Sequence, residues 1–187
     1  KYLPNIFIFV DQYNNQIFEN KNPNIGVIYR NYNDSQREKQ LVKIARACKK
    51  NRYQLFVSND LKLALKIKAN GIYIPSFNKT KKFLNLEKKN ITIIGSAHNQ
   101  KEIHTKISQN CSAIFLSPIF HVEKSKKFLG LYKFNYLSHM NKIKILALGG
   151  ISEDNIRKLR LLYVKGFGGI SLFKKKPAFL KAGFYKK

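Results

Sequence analysis

Two short stretches hold the residue types that could do chemistry. "FVSNDLKL" places Asn59 directly before Asp60, and "KILALGGISEDNIRKL" places Gly149 directly before Gly150. Acids are scarce: 10 Asp and Glu stand against 36 Lys and Arg, for a net charge of +26, so the position of each carboxylate is informative. Such a charge favours polyanionic partners: phosphate esters, pyrophosphate, nucleic acid or anionic lipid. The lysines are spread along helix faces and loops alike, and a composition heavy in Asn and Ile accounts for much of them. Adjacent glycines suit a sharp bend or a ligand that must approach the backbone closely. The acids Glu153 and Asp154 follow them and repel an anion from the next helix. A phosphate near Gly149 and Gly150 would therefore rely on glycine amides. His98 could move a proton or donate to phosphate, or serve as a hydrogen-bonded structural histidine.

These residues need a scaffold. Short apolar runs alternate with helical patterns along the chain. The runs are 5–10, 25–30, 53–58, 71–75, 91–97, 112–117, 144–149 and 169–173. Helical patterns follow at 34–51 and near 60–68, 79–88, 99–109, 133–140 and 153–163. The first crossover, "DQYNNQIFENKNPN", reads as a loop. Apolar runs without alternation suit parallel strands buried on both faces. Strict β–α alternation over eight runs predicts an α/β chain, a single (β/α)8 TIM barrel over residues 1–187. It is short for a fold that typically takes about 250 residues. An open doubly wound sheet is the alternative. No apolar run approaches the roughly 18 residues of a membrane span. Cys48 and Cys111 are too few and too far apart for a metal site or disulfide framework and read as buried thiols in a reducing cytoplasm.

Barrel chemistry gathers at the C-terminal ends of the strands. In order these ends present Asp11, Arg30, Asn59 with Asp60, Pro75 to Asn78, His98, Ser117 with Pro118, Gly149 with Gly150, and Phe173 with Lys174. Asp11 and Asp60 are the acids at strand ends. The loops after strands seven and eight form the usual phosphate site of such barrels. Gly150 should leave room for that phosphate, so that a valine there would weaken binding more than it destabilises the barrel. Gly168 and Gly169 read as turn glycines at the start of strand eight, on the opposite face.

The segments "GVIYRNYN", "SNDLKLALKIKANGIYIP", "IIGSAHNQKEI", "AIFLSPIF", "ILALGGISEDNIRKL" and "GFGGISLF" follow one another as in the thiamine phosphate synthase and thiazole tautomerase family. The resemblance covers about residues 3 to 174 and rests on order and spacing together. It implies a (β/α)8 barrel. It also implies that a hydroxymethylpyrimidine diphosphate joins a thiazole phosphate, pyrophosphate leaving first and the thiazole nitrogen capturing the pyrimidine cation. By position, Asn59 and Asp60 match the pair that binds diphosphate and magnesium, and Arg30 matches the arginine after strand two. Gly150 matches the thiazole-phosphate glycine. The strand-end residues Gly149, Ser117, Asn78, His98, Phe173 and Lys174 are expected around the same substrates from their position in the barrel. Ser125 and Lys126 approximately match the Thr-Lys of the loop after strand six. Magnesium is the implied cofactor, with Asp60 as its ligand.

The chain departs from the family's pattern at several positions. Ile28 and Tyr32 replace the Gln and Lys flanking the arginine. The second magnesium Asp falls at Asn78, Tyr73 stands for a histidine, and Ala97 and Val122 stand for hydroxyl residues. The expected function is that of a thiamine phosphate synthase; the alternative is a member with altered or lost catalysis, tautomerase-like or phosphate-binding. The expected partners are small phosphorylated substrates, without a membrane. No aromatic-basic RNA motif supports nucleic acid, and a homo-oligomer is left open.

Overall fold

The computed structural model describes residues 2–19, 23–32, 35–83, 90–123, 125, 127–170 and 172–173. Eight parallel strands close into a barrel in chain order. They are β1 (Ile6–Val10), β2 (Ile25–Tyr29), β3 (Gln54–Ser58), β4 (Gly71–Ile74), β5 (Thr92–Ala97), β6 (Ala113–Leu116), β7 (Lys144–Ala147) and β8 (Phe167–Gly169). The helices are α1 (Arg37–Asn51), α2 (Leu61–Lys66), α3 (Gln100–Ser108) and α4 (Gly130–Met140). The barrel expectation holds. The described part of the first crossover carries a 3-10 turn, Asn15–Phe18, capped by Asn14. Among the described residues, no helix is long and apolar enough to cross a membrane.

Two cores build the barrel. Outside, Leu41, Ile44 and Cys48 of α1, Ile103 of α3 and Phe134 of α4 are buried with the outward residues of the strands. Each such side chain contributes roughly 1.5–3 kcal/mol. Inside, Phe7, Phe9, Phe56, Tyr73 and Phe115 meet edge to face, with Phe7–Phe115 centroids 5.1 Å apart and Phe9–Tyr73 5.4 Å. These rings fill the inward positions of other strands. A Cβ on Gly26 or Gly71 would stand 2.5 Å from Phe7 or Phe56, and one on Gly168 would stand 2.9 Å from Phe115.

That crowding corrects the reading of strand eight. The strand is Phe167–Gly169, not 169–173, and Gly168 and Gly169 pair with Phe7 and Ile8 of β1. They are strand residues chosen for their lack of volume, not turn residues. Phe173 lies beyond the strand, helical and 1% exposed, stacked on Phe167 at 6.3 Å. The pattern at 153–163 forms a 3-10 helix, Ile156–Leu161. Its buried residues, Ile156 and Leu159, are spaced three apart, which suits three residues per turn. Of the helix expected near 79–88, residues 84–88 lie outside the described residues, and 79–83 are not helical. Cys48 and Cys111 are buried free thiols; burial pushes both up, Cys111 to about 12, so neither is a ready nucleophile.

Candidate functional site

The parallel order brings Arg30, Asn59, Asp60, Asn78, His98, Ser117, Gly149 and Gly150 to one mouth, just past the strands that carry them. Its two sides are built differently.

On the β3–β4 side, polar side chains hold one another. Asp60 caps α2: its Oδ1 accepts from the Leu63 N–H at 3.0 Å. Its Oδ2 accepts from Nη1 of Arg37 at 3.2 Å. The same guanidinium donates from Nη2 to the Ser58 carbonyl at 2.8 Å and lies 5.9 Å from the centroids of both Tyr29 and Tyr32. Tyr32 and Ser58 share a hydroxyl–hydroxyl bond of 2.6 Å. Asn59 has φ 58°, a left-handed conformation that asparagine tolerates. Its Oδ1 accepts from the Asn78 amide, and the Asn78 Oδ1 accepts from the Thr80 N–H at 2.8 Å. Arg30 extends from the end of β2, its guanidinium 5.7 Å from the Phe9 ring centroid.

The loop carrying Asn78 is held from below. Lys106 of α3 is fully buried and donates from Nζ to the carbonyls of Pro75 and Asn78, each at 2.7 Å, and to Oε1 of Gln109 at 2.9 Å. Gln109 donates in turn to the carbonyls of Asn78 and Thr80. The lysine stem passes over Gly95, where a Cβ would stand 2.8 Å from its Cδ. Burial pulls the Lys106 ammonium down to about 8, so it stays charged at neutral pH and uses three donors on three acceptors.

His98 joins the two sides. Its Nδ1 donates to the Ser117 carbonyl at 2.7 Å, and its Nε2 lies 3.2 Å from Ser76 Oγ. This bridging histidine ties β5 to the β4 loop and the end of β6.

On the β6–β7 side, backbone meets backbone. Gly149 and Gly150 have φ of 92° and 70°. A Cβ on Gly149 would stand 2.7 Å from Pro118, and one on Gly150 would stand 2.4 Å from the His121 carbonyl oxygen. The Phe120 N–H donates to the Gly149 carbonyl at 3.1 Å, and Asn155 secures the Gly150 carbonyl at 2.8 Å. The close approach that the glycines permit is therefore that of the loop Pro118–His121. Room for a side chain at Gly150 is absent, so a valine there would strain the barrel itself, whereas the sequence reading put the larger loss on phosphate binding. Ser125 forms an isolated bridge with Val122 and donates to the Lys127 carbonyl at 3.0 Å. Lys126 and Lys174 lie outside the described residues. Phe173 stands past the end of β8 with its ring buried in the core, beside Gly169 and Phe167.

Arg37, Ser58 and Lys106 complete the mouth without having been singled out as binding residues from the sequence. Arg37 sits in a helix-start pattern among many cations, and Lys106 is one lysine of an ordinary amphipathic helix. A groove of about 480 Å³ between the first crossover and α1, lined by Tyr13, Phe18, Lys43, Arg46 and Lys50, shares no residue with the mouth.

The donor set can be tested against the implied magnesium, which wants oxygen ligands in octahedral array. Both oxygens of Asp60 and the side-chain oxygens of Asn59 and Asn78 are already engaged by N–H donors, one of them a guanidinium. Among the described residues no group of three His, Cys, Asp or Glu could hold a metal ion. Magnesium needs only one or two carboxylates beside water and phosphate oxygens, but the one carboxylate here is paired with a guanidinium, and in that state these residues do not fit the ion.

Comparison with known proteins follows the same lines. The thiamine-phosphate synthase of Prochlorococcus marinus subsp. pastoris is 32% identical over 135 residues, covering 68% of this chain and 37% of its own length. That of Pediococcus pentosaceus is 27% identical over 151 residues, covering 76% of this chain and 70% of its own. The chain thus spans well under half the length of several curated relatives it matches, at 37–39%. A solved thiamine phosphate pyrophosphorylase from Pyrococcus furiosus shares the fold with a TM-score of 0.76 at 18% identity, over 96% of this chain and 94% of that one. The family profile for thiamine monophosphate synthase (TMP-TENI) matches residues 24–173, and with a fold and strand-end order that agree, the chain belongs to that family.

Proposed function

We propose that the chain joins hydroxymethylpyrimidine diphosphate to thiazole phosphate and releases pyrophosphate, the reaction of a thiamine-phosphate synthase. The bond between the pyrimidine methylene carbon and the diphosphate oxygen breaks, and its electron pair leaves with pyrophosphate. The thiazole nitrogen lone pair then forms the new C–N bond. The observation that carries this reading is the cluster of Asn59, Asp60 and Asn78 beside the Arg37 guanidinium, at the strand end where the resemblance expects diphosphate. Arg30 and Arg37 are the fixed cations suited to the charge that develops on the leaving group. The thiazole phosphate is assigned to the opposite side, to backbone N–H groups of the Gly149–Gly150 turn with Ser117, Ser125, Lys126 and Lys174. His98 positions the strand ends between the two. Phe173, buried past β8, would line this side from within the core.

Magnesium use is general in this family. With the candidate ligand oxygens engaged here, no step is assigned to the ion. The same engagement favours a second reading, a phosphate-ligand binding protein without turnover. The purified chain should be given both substrates, with thiamine phosphate and pyrophosphate measured. Formation of both in equal amounts supports the synthase. Binding of thiazole phosphate without product supports the second reading, and neither result leaves both without support.

A further inference from the structure

We infer that Arg37 supplies, from within the chain, the positive charge that a divalent cation would bring to Asp60, so that diphosphate binds at this mouth without metal. This rests on the diphosphate assignment above and deepens it.

The position of Arg37 is over-determined. One nitrogen donates to the Asp60 carboxylate at 3.2 Å and the other to the Ser58 carbonyl at 2.8 Å, with tyrosine rings 5.9 Å away at Tyr29 and Tyr32. Its side chain is 19% exposed and that of Asp60 31%, so the pair is partly shielded from solvent. A guanidinium does not lose its proton in proteins, so this charge is permanent. The neighbouring acid Glu38 pairs with Lys66 instead and does not compete.

The surrounding substitutions agree with this charge arrangement. Two carboxylates at such a mouth would repel a diphosphate unless a divalent ion lay between them. Here one position is the amide of Asn78, hydrogen-bonded to Asn59, and the other is a carboxylate already neutralised by Arg37. Nη1 and Nη2 of Arg37 each keep a second N–H beyond the bonds to Asp60 and Ser58, and a guanidinium is a donor geometry suited to phosphate oxygens. A metal at Asp60 would have to displace that guanidinium and leave its charge beside a divalent ion.

Two measurements test this on the full chain. Pyrophosphate binding is measured by calorimetry in EDTA and in magnesium at matched free pyrophosphate. Mn²⁺ binding, followed by its EPR signal, reports the cation position without any diphosphate. The wild type should bind pyrophosphate equally under both conditions and leave Mn²⁺ free. Arg37→Met should lose about tenfold in pyrophosphate affinity in EDTA. It should also gain Mn²⁺ binding, and this gain should vanish when Asp60→Asn is added. Pyrophosphate binding that requires magnesium, or Mn²⁺ bound by the wild type and lost in Asp60→Asn, would overturn the inference. Mn²⁺ left free by both wild type and Arg37→Met would overturn it too, since Asp60 would then be no cation position. If the wild type binds no pyrophosphate under any condition, the diphosphate assignment fails, and the Mn²⁺ comparison still decides the role of Arg37. If Arg37→Met does not fold, the wild-type measurements decide alone.

Discussion

The two halves of the mouth solve one problem by opposite means. Around β3 and β4, positions are fixed by charged and amide side chains: Asp60 on Arg37, Asn78 on Asn59, and Lys106 beneath the loop. Around β6 and β7, they are fixed by the removal of side chains, so that Gly149 and Gly150 touch the loop Pro118–His121 directly. The first half can be retuned by changing charge, because its contacts are made by replaceable groups. The second cannot, because any added atom meets backbone. The difference separates a side that chooses its ligand by electrostatics from one that offers a rigid turn.

Gly150→Val should break the comparison most severely. Its Cβ would stand 2.4 Å from the His121 carbonyl at a φ of 70°, and the cost should exceed about 3 kcal/mol. Thermal melting checks this, and a wild-type melting temperature would mean that the loop is not packed as described. Lys106→Met comes next. It leaves the Pro75 carbonyl and Gln109 Oε1 without this donor and should cost about 3 kcal/mol. The pH response sharpens it. With Lys106 near 8 in the folded chain and 10.5 as its ordinary value, the unfolded state binds more protons between the two. The lysine's contribution to stability therefore rises as pH climbs from about 8 towards 10.5. The charged or titratable groups that bear on it are Glu102 and Cys111, both favouring the ammonium. Denaturant midpoints across that range should lose this slope in Lys106→Met and keep it in the wild type. Asp60→Asn should have the smallest effect on stability, about 1 kcal/mol, because asparagine still caps α2 while the charge opposite Arg37 is lost. A loss comparable to that of Lys106→Met would place the pair among the chief supports of this half.

The strands from β1 to β7 were legible because each is a short apolar run between polar turns, and the barrel followed from their alternation with helices. Strand eight was not. In "GFGGISLF" the glycines look like a turn and "ISLF" looks like the strand. The aromatic interior reverses this, and it is a property of five distant positions brought together. The site was legible where a residue immediately follows a strand, as with Asn59, Asp60 and His98. Arg37 and Lys106 were not, because each reaches the loops of a neighbouring strand from a helix, and nothing in their own segments marks them among 36 basic residues. The glycine pair was conspicuous, but its first duty, packing against the next loop, shows only when that loop is in place.

The phenylalanine-and-glycine interior also constrains how such a sequence can drift. Gly26 is opposed by Phe7, and Gly168 by Phe115 and Phe9, so a larger residue at either glycine is acceptable only if its facing ring shrinks, whereas Gly71 also meets the Thr92 carbonyl and stays glycine whatever Phe56 becomes. Lineages should therefore change these positions in pairs or not at all, and double replacements that exchange volume across the barrel should succeed where each single replacement fails. The interior thus behaves as a set of reciprocal locks, which sets the order in which mutations can accumulate before chemistry at the mouth is exposed to selection.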